Sequence, residues 1–171
     1  MIVVKDVTLE NIDDVFRVCS KSKINDPVQE KGIALKREWM EKMIEEYGAV
    51  SKLAYFRGSP SAQILFYPED ALPYLAYPRE SVLRIECIYN SNTEARGKGV
   101  ATSLLDSLLE EARKGLLECM RGAVPRFIVA DAFETGEGIS MEDFYLAKDF
   151  RKGSEELYKE MKSKIPPREE G

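Results

Sequence analysis

Arg96-Gly97-Lys98-Gly99-Val100-Ala101 is the stretch whose residue types and spacing point most directly to chemistry. Two glycines one residue apart let a backbone come close to an anion. Arg96 and Lys98 add positive charge to the same turn. After it, Val100, Leu104, Leu108 and Ala112 recur on one stripe, broadened by Leu105, Leu109 and Leu116. A helix therefore starts at the turn. Its unpaired N–H groups and positive dipole end face whatever the turn holds. The pattern predicts a phosphate site; a glycine-rich helix start without a ligand is the alternative. Neither G-x-x-x-x-G-K-[S/T] nor G-x-G-x-x-G occurs at this turn.

The chain contains no histidine. That removes the usual general base, the usual metal ligand and any histidine-paired serine or cysteine nucleophile. Acid–base chemistry falls to Glu, Asp, Tyr, Lys, Cys or water. Cys19, Cys87 and Cys119 form no C-x-x-C pair and no zinc spacing, which predicts reduced thiols in a cytoplasmic protein without a metal. The net charge of −5 does not favour non-specific nucleic-acid binding. No run of 18 or more apolar residues exists, and Met1-Ile2-Val3-Val4-Lys5 does not read as a signal peptide, so no membrane association is expected.

These residues need elements to position them. The 171 residues, 44% hydrophobic and 32% charged, suit one soluble globular domain over 1–165, with 166–171 as a frayed tail. Ile2–Val7 reads as a first strand, and Thr8 as the N-cap of a helix presenting Ile12, Val15, Phe16 and Cys19 on one face. Lys21–Gly32 reads as a polar loop around Asp26-Pro27. A second helix is predicted from about Ala34 to Tyr47, stopped by Gly48, with Leu35, Trp39, Met43 and Tyr47 in register. Trp39 is read as core, with the floor of a substrate pocket as the alternative. Val50–Phe56 and Ser61–Tyr67 are strands joined by Arg57-Gly58-Ser59-Pro60.

The loop 68–79 carries Tyr74 and Tyr77, with Tyr67 just before it. It is either plain surface or the wall of an acceptor pocket. Val82–Tyr89 is the fourth strand, with Arg84 and Glu86 on one face and Leu83, Ile85 and Cys87 on the other. A slip of one residue near its end would exchange those faces. Arg126–Ala132 is the fifth strand, followed by a turn at 133–138. Ser140 caps a short helix to Lys148, and Phe150–Lys152 is the sixth strand. Glu/Lys composition at 156–165 suggests a helix.

The 96–101 stretch, with Thr102-Ser103-Leu104-Leu105 after it, resembles the R/Q-x-x-G-x-G/A motif of the GNAT superfamily of acyl-CoA-dependent N-acyltransferases. Phe144-Tyr145-Leu146-Ala147-Lys148-Asp149-Phe150 is similar to that family's second, FYEKLGF-type segment. This chain departs from it in having Asp149 where glycine is usual, and Gly138 where an asparagine often precedes the helix. The resemblance implies an α/β (α+β) fold: a mixed, mostly antiparallel sheet of six to seven strands with helices on both faces. It favours a seventh strand near 156–162 over the helix.

The resemblance also implies acetyl-CoA as co-substrate. Arg96, Gly97, Lys98, Gly99, Val100 and Ala101 would hold the pyrophosphate. The backbone of Cys87, Ile88 and Tyr89 would pair with the pantetheine arm. It implies direct transfer of acetyl to a primary amine, with the 23–33 loop and second helix bordering the acceptor. Tyr145 matches the residue that protonates the departing thiolate; packing against the sheet is its other reading. Glu86 is the selected base, with a surface ion pair to Arg84 or to a neighbouring strand as its alternative, and Asp131 and Glu134 are next, as bases or as anchors for a cationic acceptor. The acceptor is expected to be a small molecule or peptide bearing an amine, and a homodimer is the assembly common in the family. A non-catalytic acyl-CoA-binding regulatory module of the same fold is the rival reading, and an interaction domain with an idle helix start is the other.

Overall fold

Seven short strands separated by glycine, proline and asparagine turns pair into one sheet. The computed structural model describes residues 1–19, 26–71, 75–132 and 140–161. Strands β1 (Ile2–Asp6), β2 (Ser51–Phe56), β3 (Ser59–Pro68), β4 (Val82–Asn90), β5 (Phe127–Ala130), β6 (Arg151–Lys152) and β7 (Leu157–Glu160) lie in the order β1-β2-β3-β4-β5-β7-β6. Neighbours are antiparallel except β4 and β5, which run parallel. Parallel strands need a crossover, and helix α3 (Val100–Arg113) lies in the segment that makes it.

Adjacent residues of β2 show what covers each face. Leu53 packs with Ile12, Val15 and Phe16 of helix α1 (Ile12–Cys19) and with Met40 of helix α2 (Pro27–Tyr47). Lys52 points the other way, buried between Glu111 of α3 (2.8 Å) and Asp6 of β1 (2.6 Å). The α3 stripe of Val100, Leu104, Leu105, Leu108 and Ala112 is buried as its spacing predicts. Among the described residues, nearly all of the buried apolar side chains thus fall into one large cluster and a smaller one under α1 and α2. Helices do cover both faces.

Several local expectations are corrected. The second helix begins at Pro27, not near Ala34, so residues 27–32 of the expected loop are helical. Asp26 accepts hydrogen bonds from the N–H groups of Val28 and Gln29, and Pro27 occupies the first turn, where its missing N–H costs nothing. Leu35 does not join that helix's buried stripe; it is 68% exposed, and Met40 and Met43 carry the burial. The hairpin turn is two residues, Arg57 and Gly58, both at positive φ (51° and 78°), the geometry that matches strand twist. Thr8 accepts from Glu10 N–H through its hydroxyl, but α1 starts later, at Ile12.

At the C-terminal end, β7 is a strand pairing β5 and β6, as the resemblance favoured over composition. Ser140 caps helix α4 (Met141–Leu146) by accepting from Asp143 N–H. Asp149 takes φ 67°, the left-handed conformation for which glycine is the usual choice and aspartate a tolerated one. The turn at 133–138, Tyr74 and the 162–171 tail lie outside the described residues. Among the described residues no helix is long and apolar enough to cross a membrane.

Candidate active site

The site begins with an irregularity in β4. Leu65 of β3 pairs with Cys87, but the next residue, Phe66, pairs with Ile85. Glu86 is the extra residue, and a bulge of this kind bends the strand and disrupts its alternation. Residues directly opposite share a face. Ile85 therefore lies with Phe66 on the α3 side. Cys87, opposite Leu65, lies on the α1/α2 side with Gln63, whose amide donates to the Cys87 sulfur at 3.4 Å. This corrects the grouping of Cys87 with Leu83 and Ile85. Glu86 also lies on the α1/α2 side, where Tyr67 donates to its Oε2 at 2.8 Å.

β5 pairs with β4 only from Val82–Phe127 to Ile85–Ala130, while β4 continues to Asn90. From Glu86 onward the β5-facing edge of β4 has no strand partner among the described residues. A cavity of about 380 Å³ opens there, beside Cys87, Ile88 and Tyr89. Tyr145, Asp131 and Lys36 also line it.

The helix start lies just beyond that edge in sequence. A 3-10 turn, Thr93–Ala95, capped by the Asn92 side chain, leads into Gly97 (φ 73°) and Gly99 (φ 83°). Ser103 N–H donates to the Gly99 carbonyl at 2.9 Å, so Val100, Ala101 and Thr102 precede the first intrahelical donor. Their N–H groups face out of the helix end. An added Cβ at Gly97 or Gly99 would meet nothing within 4 Å. Open space in front of these two residues, with Arg96 and Lys98 exposed beside them, fits the pyrophosphate of a coenzyme A molecule.

Tyr145 is 1% exposed overall and stacks at an angle between Phe144 (5.5 Å) and Phe150 (5.1 Å). Its hydroxyl has no hydrogen-bond partner among the described residues, and no buried side-chain oxygen there is left wholly unsatisfied. The hydroxyl is therefore the tip that meets the cavity. Burial pushes the phenol well above its usual range, aided by Cys87 and Asp131 nearby, so it stays protonated. Burial likewise raises the Cys87 thiol to about 11, which makes it a poor nucleophile.

A charged cluster flanks the cavity. Arg84 donates to Asp131 (2.9 Å), Glu156 (3.1 Å) and Glu69 (3.2 Å). Arg79 holds Glu69 with two nitrogens, at 2.8 and 2.7 Å, and reaches Glu156 at 2.6 Å. Hydrogen bonding from Arg79 keeps the Glu69 carboxyl below its ordinary range despite burial. The ion pair with Arg84 that stood as one alternative for Glu86 does not form; Arg84 reaches these three carboxylates instead.

The structure thus brings Tyr145, Cys87, Ile88 and Tyr89 to one cavity and sets the 96–101 turn just beyond the strand edge. Glu86 sits next to the cavity but is not among its lining residues; Asp131 is. Glu134 lies outside the described residues. Tyr67 is a buried member of β3, Tyr77 is 93% exposed, and Trp39, itself partly buried, packs edge-on to Tyr67 at 5.8 Å against the core. Sequence reasoning missed Lys36, Gln63 and Cys19 in the lining. Lys36 was detectable only as a charged position one turn from the apolar stripe of a helix. Gln63 was detectable as a polar residue inside an apolar strand.

No family model matches the chain, and no curated protein matches it. Solved structures do. A GNAT-family acetyltransferase from Bacillus cereus matches with TM-score 0.62 at 16% identity, covering 95% of this chain and 99% of that one. An N-acetyltransferase from Staphylococcus aureus matches at 0.61 and 17% identity, with 95% and 99% covered. The PaiA N-acetyltransferase of Thermoplasma acidophilum, in complex with coenzyme A, matches at 0.60 and 12% identity over the same shares. At these identities the likeness is one of fold. The chain has the GNAT fold that the two motifs implied.

Proposed function

We propose that this protein transfers an acetyl group from acetyl-CoA to the primary amine of an acceptor by direct attack. One observation carries the reading: the unpartnered edge of β4 at Cys87–Tyr89, with a buried phenol beside it, leads in sequence to an open, positively charged helix start. The coenzyme A complex of the Thermoplasma neighbour adds support from a protein of the same fold.

Each residue has a role in that chemistry. The N–H groups at Val100–Thr102, with Arg96 and Lys98, bind the pyrophosphate. Backbone groups of Cys87–Tyr89 hold the pantetheine arm along the strand edge. Asp131 draws the acceptor's ammonium to the cavity. Glu86, held by Tyr67, takes a proton through water so that the amine is neutral when it attacks. A C–N bond forms at the carbonyl carbon as the C–S bond breaks. Tyr145 donates its hydroxyl proton to the departing sulfur, as a hydrogen bond or by transfer.

Calorimetric titration with acetyl-CoA, beside a Gly99→Glu variant, tests the cofactor half. Binding by the parent and loss in the variant is the expected result. Release of free thiol with an amine panel tests turnover. Binding with no turnover for any amine would leave the regulatory module as the function. No binding by a folded parent would overturn both readings.

A further inference from the structure

The cavity beside Cys87–Tyr89 is lined by charges of both signs. Asp131 supplies the negative one from the end of β5. Its Oδ2 accepts from Arg84, while its Oδ1 accepts no hydrogen bond among the described residues. Arg84 does not neutralise it, because Arg79 and Arg84 together face three carboxylates, Glu69, Asp131 and Glu156. Among the described residues of this cluster one negative charge is in excess, and Asp131 is the most exposed of the three carboxylates.

Lys36 supplies the positive charge from α2. Its neighbours on that helix are paired: Arg37 with Asp13 and Glu41, and Lys42 with Glu38. Lys36 has no ion pair with a carboxylate among the described residues. Beside it lies the Cys19 thiol, whose pKa burial raises against the lowering influence of Lys36, so the thiol stays neutral. A half-buried ammonium facing thiols in a cavity is completed by an anion from a ligand.

Resting on the acyltransferase reading, we propose that the acceptor is a small amino-carboxylate, its ammonium at Asp131 and its carboxylate at Lys36. A diamine, polyamine or aminoglycoside would bring a second cation against Lys36. A monoamine with no carboxylate would leave Lys36 without its anion. A volume of about 380 Å³ shared with the thioester end favours an amino acid or a short ω-amino acid over a large acceptor.

The test uses the full chain and a size-matched set: glycine, β-alanine and γ-aminobutyrate against n-butylamine and putrescine, read by thiol release. The parent should favour amino-carboxylates by about tenfold or more in kcat/KM. Lys36→Met should raise their KM about 10- to 100-fold, with a clearly smaller effect on n-butylamine. Lys36→Glu should turn the preference towards putrescine. Equal use of γ-aminobutyrate and putrescine by the parent would overturn the proposal, as would an equal loss of all amines in Lys36→Met. Calorimetry of the coenzyme A-loaded protein with the same set separates the two levels. No binding of any amino-carboxylate to loaded protein overturns the acceptor class, whereas failure to load with coenzyme A overturns the acyltransferase reading beneath it.

Discussion

Changing Tyr145 to Phe should separate rate from stability. The ring is 1% exposed and packs against Phe144 and Phe150, contacts that phenylalanine keeps. The hydroxyl has no partner among the described residues, so no internal hydrogen bond is lost. The expected stability change is therefore within about 1 kcal/mol, or roughly 2–4 °C in Tm for a chain of this size. The rate consequence is larger. Removing a positioned acid costs about 10²- to 10⁴-fold, equivalent to roughly 3–5 kcal/mol in the barrier. A raised phenol pKa makes donation to an ordinary thiolate unfavourable, but the cavity acts on both partners. Cys87, in the same cavity, is pushed up to about 11 by burial, and a departing thiolate there meets the same desolvation. Both proton affinities are thus raised together, so the phenol's own shift overstates the cost of donation. Steady-state thiol release, calorimetric affinity for acetyl-CoA and a thermal melt, run on parent and variant, check the reasoning. A kcat within about twofold of the parent would refute the acid role. A fall in kcat matched by a collapse in melting temperature would refute the claim that the hydroxyl serves chemistry and not packing.

Gly99→Ala places a Cβ at φ 83°, which strains the backbone by about 1 kcal/mol without a clash; melts should show that loss, and calorimetry a weaker affinity for acetyl-CoA. Lys52→Met leaves Asp6 and Glu111 facing each other beside β2; because both are partly solvated the expected loss is about 2 kcal/mol in denaturant unfolding, with kcat unchanged in the folded fraction. Stability should be flat near neutrality and fall at both ends of the pH scale, as followed by denaturant titration at a series of pH values. At the acid end the depressed Glu69 carboxyl contributes stability above its unfolded value, which is lost as pH falls through its folded pKa. At the alkaline end the raised Cys87 and Cys119 thiols contribute stability that is complete below about 9.0 and lost as pH rises towards about 11 and 12.

Much of the fold and part of the site could be read in the sequence, for identifiable reasons. Helix α3 repeats a long apolar stripe behind two glycines, a pattern that nothing local contradicts, and it folds as its spacing says. Strand β7, Leu157-Tyr158-Lys159-Glu160, is charged enough to look helical alone; it is a strand because β5 and β6 offer it two edges to pair with. The start of α2 was written plainly in Asp26-Pro27, yet a run of polar residues after it hid a helix whose first turns bury nothing. Lys36 and Asp131 share a cavity only because α2 crosses the α1/α2 face while β5 ends beside it, and no local pattern carries that meeting. The Arg84 cluster joins positions as far apart as Glu69 and Glu156, a pairing that charge counting cannot assign.

The bulge at Glu86 is where local and long-range structure meet, and it accounts for why the strand's polarity misled. Leu83, Ile85 and Cys87 alternate perfectly in sequence, so a regular strand would send all three under α3. One extra residue between the pairs Phe66–Ile85 and Leu65–Cys87 changes the side of everything after it. Ile85 stays in the large core. Glu86 and Cys87 both turn to the side covered by α1 and α2, where a carboxylate and a thiol join the neighbourhood of Asp131 and Lys36. Pairing with β5 stops at the same place, after Ile85–Ala130, which frees the backbone that the pantetheine arm requires on the acyltransferase reading. Side-chain chemistry and the open strand edge therefore arise from one local irregularity. A bulge leaves no composition of its own, since Glu fits a strand on either face. It is detectable only from the register of the strand beside it.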